Sequence, residues 1–305
     1  MNNFRELLDQ KRIVINKRID ELLSTGFEQT EANELVKYTF KTGGKRLRPI
    51  LVLFASDSVG GKTEHALDAA VAMEFLHAAS LVFDDLIDKH RLRRNFPTTQ
   101  HAFADDKAIS AGLFLASKGV QILSEYKDSR ITKMAGWGLV DLSKGEILDV
   151  ITELAIDVDN YLTIADLKTG SLFSAAAGIG GVLGGATAPE VDSLYNYGRA
   201  VGIAFQIKDD VLDTSGDPER QDRINLVLMH YLDEATKRGS VSAILENNKE
   251  KSVELAALRE KAIEFALKKS KEHVERAKRE LKGLRDPSKS KLLEEFADYS
   301  LERTF

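Results

Sequence analysis

Apolar residues recur every three to four positions along most of the chain, the period of an amphipathic helix. This pattern predicts helices over 3–23, 30–41, 48–58, 64–89, 99–125, 131–153, 161–184, 190–214, 222–237, 252–282 and 288–303. Strand-like alternation never lasts more than a few residues. The prolines, at 49, 97, 189, 218 and 287, all fall where a turn or a helix start is plausible. Ala188-Pro189-Glu190 and Asp286-Pro287-Ser288 read as helix starts, and Gly60-Gly61 and Gly184-Gly185 as stops. The charged stretch Glu250 to Arg279 carries one apolar stripe (Leu255, Leu258, Ile263, Leu267) and reads as a surface helix. No low-complexity linker divides the chain, so one all-α domain over 1–305 is expected.

Two stretches depart from the amphipathic pattern. Leu76-His77-Ala78-Ala79-Ser80-Leu81-Val82-Phe83-Asp84-Asp85-Leu86-Ile87-Asp88 is an apolar run that ends in carboxylates. On a helix Asp84 and Asp88 share a face, with His77 one to two turns before Asp84 on the same side. Phe205-Gln206-Ile207-Lys208-Asp209-Asp210-Val211-Leu212-Asp213 repeats the arrangement, with Gln206, Asp209 and Asp213 along one face. A single acidic group of this kind is as readily a solvated helix end. Two, each after a long apolar helical run, are hard to explain as surface charge, because such carboxylates repel one another and resist desolvation. A hard cation relieves both costs. Mg2+ suits the site because it takes one or two carboxylates and fills its shell with water and substrate phosphate. Facing each other, the two groups would frame room for more than one Mg2+ and a diphosphate.

Composition narrows the setting. The chain has 305 residues, a formal net charge of −5 and no cysteine. Mild acidity gives no electrostatic case for nucleic-acid binding, and the lack of cysteine removes disulfides and thiolate chemistry. The charged segment Met1 to Leu23 lacks a signal-peptide core. Polar residues interrupt every apolar stretch, so no membrane span is expected. Together these features point to a cytoplasmic protein.

Cations accompany the carboxylates. Gly43-Gly44-Lys45-Arg46-Leu47-Arg48-Pro49 is a basic turn leading into an apolar helix, where Arg48 as a fork and Lys45 as a point charge could hold a diphosphate. Arg93 and Arg94 follow the first acidic group and suggest a phosphate-bearing group on each side. Lys168-Thr169-Gly170 lies where a helical run turns apolar, so Lys168 reads either as a buried counter-charge or as a snorkelling lysine. Gly60-Gly61-Lys62-Thr63 has the tail of a phosphate loop, but Ser56 stands where the first glycine is required and no strand precedes it. The histidines show no zinc-like spacing with one another.

In order and rough spacing, GGKRLRP (43–49), DDLID (84–88) followed by LRR (92–94), KTG (168–170) and FQIKDDVLD (205–213) resemble the trans-isoprenyl diphosphate synthases of the polyprenyl synthetase family. The resemblance runs from about Lys41 to Asp217. It implies an all-α bundle of ten or more helices around a central cavity, usually a homodimer. It also implies a prenyltransferase that condenses isopentenyl diphosphate with an allylic diphosphate, using two or three Mg2+. By this resemblance Asp84 and Asp88, supported by Asp85, hold Mg2+ from one wall. Asp209 holds it from the other, with Asp210 and Asp213 completing the motif. Lys45, Arg48, His77 and Arg94 are implied for isopentenyl diphosphate, and Arg93, Lys168, Thr169 and Gln206 for the allylic diphosphate. Asp84, Asp85, Asp88, Lys168 and Asp209 are the expected catalytic set. Peripheral membrane contact through a lipid product is also conceivable.

The chain departs from the family pattern in three places. Asn95 stands where the family usually has Gly, and Phe83 where His is common. The segment Ser215 to Arg223 looks shortened and lacks a second phosphate-binding Lys, for which Arg220 or Arg223 would have to substitute. Product length should depend on positions one or more turns before Asp84. Ala79 and Ser80 are small, and Leu76 and Met73 lie beyond them, so a product of geranylgeranyl length or longer is expected. The Gly/Ala run from Ala175 to Ala188 reads either as a tunnel wall or as close helix packing. Competing readings are a farnesyl diphosphate synthase, a class I terpene cyclase and a non-catalytic regulatory subunit. A cyclase would not need Lys45 and Arg48, and a regulatory subunit typically loses aspartates from one motif.

Overall fold

A helix that is apolar all round must be surrounded by others, and two such helices form the centre of this fold. The computed structural model describes residues 2–24, 27–41, 43–152, 157–214, 225–237 and 252–302. Its helices are α1 (Asn2–Ser24), α2 (Thr30–Lys41), α3 (Leu47–Ser58), α4 (Thr63–Ile87), α5 (Thr99–Ala102), α6 (Asp105–Ser124), α7 (Ser129–Ile151), α8 (Val158–Ala165), α9 (Ser171–Leu183), α10 (Ala188–Thr214), α11 (Leu226–Lys237), α12 (Ser252–Glu280) and α13 (Lys291–Glu302). The all-α class expected from the periodicity is the class observed. Nearly every residue of α3 and of α9 is buried, and α9 packs on α3, α4, α7 and α10.

The exceptions to the predicted elements are local. The helix expected over 99–125 is broken, because Phe103 and Ala104 leave helical geometry between α5 and α6. The run expected over 161–184 starts at Val158 and contains a π-helical turn at Asp166–Gly170 before α9. Strands β1 (Leu92–Arg93) and β2 (Phe96–Pro97) form a minimal antiparallel hairpin. Its two loop residues, Arg94 and Asn95, have φ of 54° and 65°, as the favoured two-residue hairpin turn requires. Asn tolerates that left-handed backbone better than most residues, so Asn95 does the work of the expected glycine.

Start and stop signals fall where the chain placed them. Thr187 begins α10 with a capping arrangement in which its N–H and hydroxyl both donate to Glu190 Oε2, at 2.9 and 2.7 Å. Gly60 and Gly185, just past α3 and α9, sit at φ of 95° and 81°. The helix α4 does meet the length and apolarity of a membrane span, contrary to expectation, with a mean hydropathy of 1.5. Two-thirds of that window is buried within the protein, as suits a core helix.

The main core joins α1, α2, α3, α4, α6, α7, α9, the first half of α10, the end of α12 and α13. A second cluster gathers Tyr161, Ile207, Val211, Leu226, Ala262 and neighbours from α8, α10, α11 and α12. The continuous helix α10 runs through both. The glycines and alanines of α9 serve close packing: a Cβ on Gly180 would meet Val52 O, and one on Gly181 would meet Leu194. On α10 the same holds for Gly198, whose Cβ would lie 2.3 Å from Phe173 O. Gly198→Ala should therefore destabilise the fold by about 1–3 kcal/mol. Urea unfolding measures this, and an unchanged midpoint would contradict the backbone contact.

Candidate active site

The apolar helix α4 delivers the first acidic group at its C-terminal end. Asp84 and Asp85 lie in its last turn, and Asp88 caps it with helical dihedrals, its N–H donating to Asp84 O at 3.0 Å. The i, i+4 register of Asp84 and Asp88 is therefore kept. Carboxylates at a helix C-terminus are disfavoured by the helix dipole, and cations from two other segments compensate. From the hairpin, Arg93 donates to both oxygens of Asp85 at 2.7–3.0 Å, and its Nη2 reaches Asp84 Oδ2 at 3.4 Å. From the π turn, Lys168 Nζ lies 3.9 Å from Asp84 Oδ1.

Lys168 is a half-buried counter-charge and not a snorkelling lysine. Its ammonium is 2.5 Å from Asp149 Oδ2 and 3.0 Å from Glu146 Oε2, both on α7. Burial alone would lower its pKa, but Asp149, Glu146 and Asp84 together hold it above the ordinary value. Burial pushes Glu146 up despite the neighbouring Lys168. Glu146 and Asp149 were not singled out from the sequence. Their only signal there is an acidic i, i+3 pair following Gly145, whose missing Cβ lets the backbone of Lys168 approach within 2.7 Å of that position.

The neighbouring aspartates divide their roles. Burial tends to raise Asp85, but hydrogen bonds from His90 and Arg93 overcome it and hold its pKa below the usual carboxylate value. Asp85 is thus an anchor for Arg93. On α10 the same division appears. Asp209 acts electrostatically on Arg48 and Arg94. Asp210 turns inward, where Oδ2 accepts from Tyr161 Oη at 2.5 Å and from the Leu226 N–H at 3.1 Å, and Oδ1 accepts from Gln206 Nε2 at 3.1 Å. The oxygens of Asp210 thus tie α10 to α8 and to the start of α11. Gln206 Oε1 also accepts from Thr169 Oγ1 at 2.7 Å, which links the second acidic helix to the π turn. Asp213 lies one turn beyond Asp209, half-buried.

The basic pocket is assembled from three segments. Gly44, at φ 146°, has no room for a side chain, since a Cβ would lie 2.6 Å from Arg46 Nη1 and 3.0 Å from Arg94 Nη1. Lys45 is half-exposed in this turn. Arg48 is buried over the ring of Phe173, 4.6 Å from its centroid. Burial lowers its pKa to about 10, against the pull of Glu74 and Asp209. Arg48 Nη1 lies 3.0 Å from His77 Nε2. A guanidinium can only donate, so His77 accepts through Nε2 and is neutral; burial and four surrounding arginines push its pKa well below the ordinary value. Arg94 Nη1 donates to Gly43 O at 2.7 Å. Of the residues expected for isopentenyl diphosphate, Arg48, His77 and Arg94 thus come together, with Lys45 in the adjoining turn.

Of the positions expected to set product length, Met73 and Leu76 are fully buried and Ala79 nearly so, while Ser80 is half-buried. Leu76 lies against Gly119 of α6 and Phe83 against Gly112, one above the other. Phe83 therefore fills the space that Gly112 leaves on α6. The segment 215–223, with Arg220 and Arg223, lies outside the described residues.

The chemistry of the donors decides which ion could fit. All the candidate ligands, Asp84, Asp88 and Asp209, offer carboxylate oxygen, which suits a hard cation. Among the described residues no three acidic or histidine side chains converge closely enough to enclose a metal. The set fits a cation that keeps water and takes further oxygen from a diphosphate, and does not fit an all-protein cage.

Comparison with known proteins identifies the family and the fold. The family model for polyprenyl synthetase matches residues 29–272. The chain is 31% identical over 315 residues to geranylgeranyl diphosphate synthase of Methanosarcina mazei, covering 95% of each chain. It is 32% identical over 326 residues to the short chain isoprenyl diphosphate synthase of Methanothermobacter thermautotrophicus, covering 99% of each. Geranylgeranyl pyrophosphate synthetase from Pyrococcus horikoshii superposes with a TM-score of 0.88 at 28% identity, over 99% of each chain.

The inward turn of Asp210 has a measurable consequence. Burial raises its pKa from the ordinary 3.8 to about 7, three donated hydrogen bonds oppose this, and Asp209 adds repulsion. Between those two values the folded protein keeps a proton that the unfolded chain has lost, so stability falls as pH rises through the window. Below it both states are protonated and the effect vanishes; above about pH 7 it is complete, on the order of 4 kcal/mol. Asp210→Asn should therefore gain stability relative to the parent between pH 5 and pH 8, measured by urea unfolding without metal. A pH-independent difference between the two would contradict the assignment.

Proposed function

The chain belongs to the polyprenyl synthetase family, and on that premise we propose that it joins isopentenyl diphosphate head-to-tail to an allylic diphosphate, giving an all-trans polyprenyl diphosphate of geranylgeranyl length or longer. It is a prenyltransferase. The observation that carries the reading is the meeting of Lys168 and Arg93 on Asp84, beside a separate pocket of Arg48, His77, Arg94 and Lys45. One cationic group suits the diphosphate that leaves, the other the diphosphate that stays. A cyclase would have no ligand for the second.

The reaction breaks the allylic C1–O bond, and the bonding pair leaves with the diphosphate. Lys168 and Arg93 stabilise the charge that develops on that group, in a partly dry site where such interactions are strong. Bound Mg2+, held by Asp84, Asp88 and Asp209, would neutralise the diphosphates and polarise the same bond. The terminal alkene carbon of isopentenyl diphosphate then attacks C1. Loss of a proton from the adjacent methylene forms the new allylic double bond. The departing diphosphate takes this proton, because neutral His77 is held by Arg48 and no other side chain in the set is a suitable base. Thr169 and Gln206 orient the allylic diphosphate.

The growing chain passes Ala79 and Ser80 along α4, toward the buried Leu76 and Met73. One turn of helix spans about 5.4 Å, so the absence of an aromatic at Ala79 leaves length for about one isoprene unit or more. A homodimer is supported by exposed large apolar residues on two helices: Ile109, Leu113 and Val120 on α6, and Trp137, Val140 and Ile147 on α7. We place the reaction in the cytoplasm, with the lipid product drawing the enzyme to membrane surfaces.

Purified chain should incorporate labelled isopentenyl diphosphate with dimethylallyl, geranyl or farnesyl diphosphate as primer, and chelation of divalent cations should abolish the reaction. No incorporation with any primer would sink the proposal. Lys168→Met should lower kcat by about 10²–10³-fold in a folded protein. Ala79→Phe should shorten the products by at least one unit on reversed-phase chromatography; unchanged lengths would move the tunnel elsewhere.

A further inference from the structure

We propose that Arg46 and Glu74 form a buried clamp that positions the basic turn, and with it Lys45 and Arg48, for isopentenyl diphosphate. The proposal rests on the functional reading above. Both side chains are buried: Arg46 is 7% exposed and Glu74 4%.

The geometry of Arg46 shows what it holds. Its backbone is left-handed, at φ 52°, a conformation that a bulky L-residue adopts only when its surroundings impose it. Its Nη1 donates to Glu74 Oε1 at 2.8 Å and to Gly43 O at 3.2 Å, and its Nε donates to Asn16 Oδ1 at 2.9 Å. The guanidinium also covers the ring of Phe40, 5.4 Å from its centroid. One side chain thus joins α1, the turn and α4. Gly43 O accepts a second bond, from Arg94 Nη1 at 2.7 Å, so the clamp also sets the hairpin arginine.

Glu74 lies one helical turn before His77. Helix α4 therefore grips the turn at two points, Glu74 on Arg46 and His77 on Arg48, with Leu47 between them. With its end free, the turn would carry Lys45 to other positions and take Gly43 O away from Arg94, while Lys168 and Arg93, anchored on Asp84 and Asp85, would stay. The clamp should therefore act on one substrate and not on the other. In the sequence Glu74 is a lone charge inside an apolar helix, and Arg46 is one base among three.

A buried ion pair can often be replaced by apolar residues of similar size without loss of stability, whereas removal of one partner strands a charge. The test is therefore the paired variant Arg46→Met/Glu74→Met, with Asn16→Ala as a milder change at the half-buried edge. The parent must first condense the substrates; its failure to do so refutes the functional reading and not the clamp, which is then tested by calorimetric binding of isopentenyl diphosphate. In folded paired variant, the KM for isopentenyl diphosphate should rise at least tenfold, while the KM for the allylic diphosphate stays within about twofold. Asn16→Ala should raise the first KM two- to fivefold, with the same selectivity. Equal changes in both KM values, or none, in either folded variant would overturn the proposal. If the paired variant does not fold, Asn16→Ala decides alone.

Discussion

Carboxylates at the end of a buried helix cannot stand without opposite charge, and this constraint organises the protein. Helix α4 brings Asp84, Asp85 and Asp88 to an end where the helix dipole also opposes them. The answer is a set of cations delivered by segments remote in the chain: Arg93 from a hairpin and Lys168 from a π turn. Lys168 in turn needs Asp149 and Glu146. Each charge is held by a partner of opposite sign, and a buried pair of this kind contributes more to specificity of arrangement than to net stability. The diphosphate and cations proposed for this site would meet groups already placed to exchange partners.

The second acidic helix solves the same problem differently. Asp209 and Asp210 are neighbours, about 100° apart around the helix, so they meet different surroundings. Asp209 works on Arg48 and Arg94, whereas Asp210 accepts three hydrogen bonds within the second core. Because α10 belongs to both cores, the helix that carries Asp209 is set by packing on two sides. The carboxylates of the site are consequently carried by helices, as is Arg48 on α3, whereas Lys45, Arg93, Arg94 and Lys168 come from the basic turn, the hairpin and the π turn.

Backbone strain follows that division. Among the described residues, the non-glycine residues with positive φ are Arg46, Lys89, Arg94 and Asn95. All lie in the basic turn or the segment after the first acidic group. Such conformations cost on the order of 1 kcal/mol or more each and persist where the surroundings over-determine them. Here hydrogen bonds to Gly43 O and the short β1–β2 ladder provide that determination.

Much of this was legible in the chain. Helices, glycine stops and the Thr187–Glu190 start depend on side chains a few residues apart, and so does the register of Asp84 with Asp88. The types of residue at the site, acids on apolar helices with bases in turns, already pointed to diphosphate and Mg2+. What the chain could not announce was orientation and partnership. Periodicity does not say that Asp210 turns inward, that Lys168 sits on a π turn, or that Glu74 reaches Arg46. Those outcomes depend on contacts between segments far apart in the chain, Tyr161 with Asp210 or Gly145 with Lys168, and such contacts exist only once helices have packed. Local sequence sets what each helix offers; burial among its neighbours selects which side chain is used.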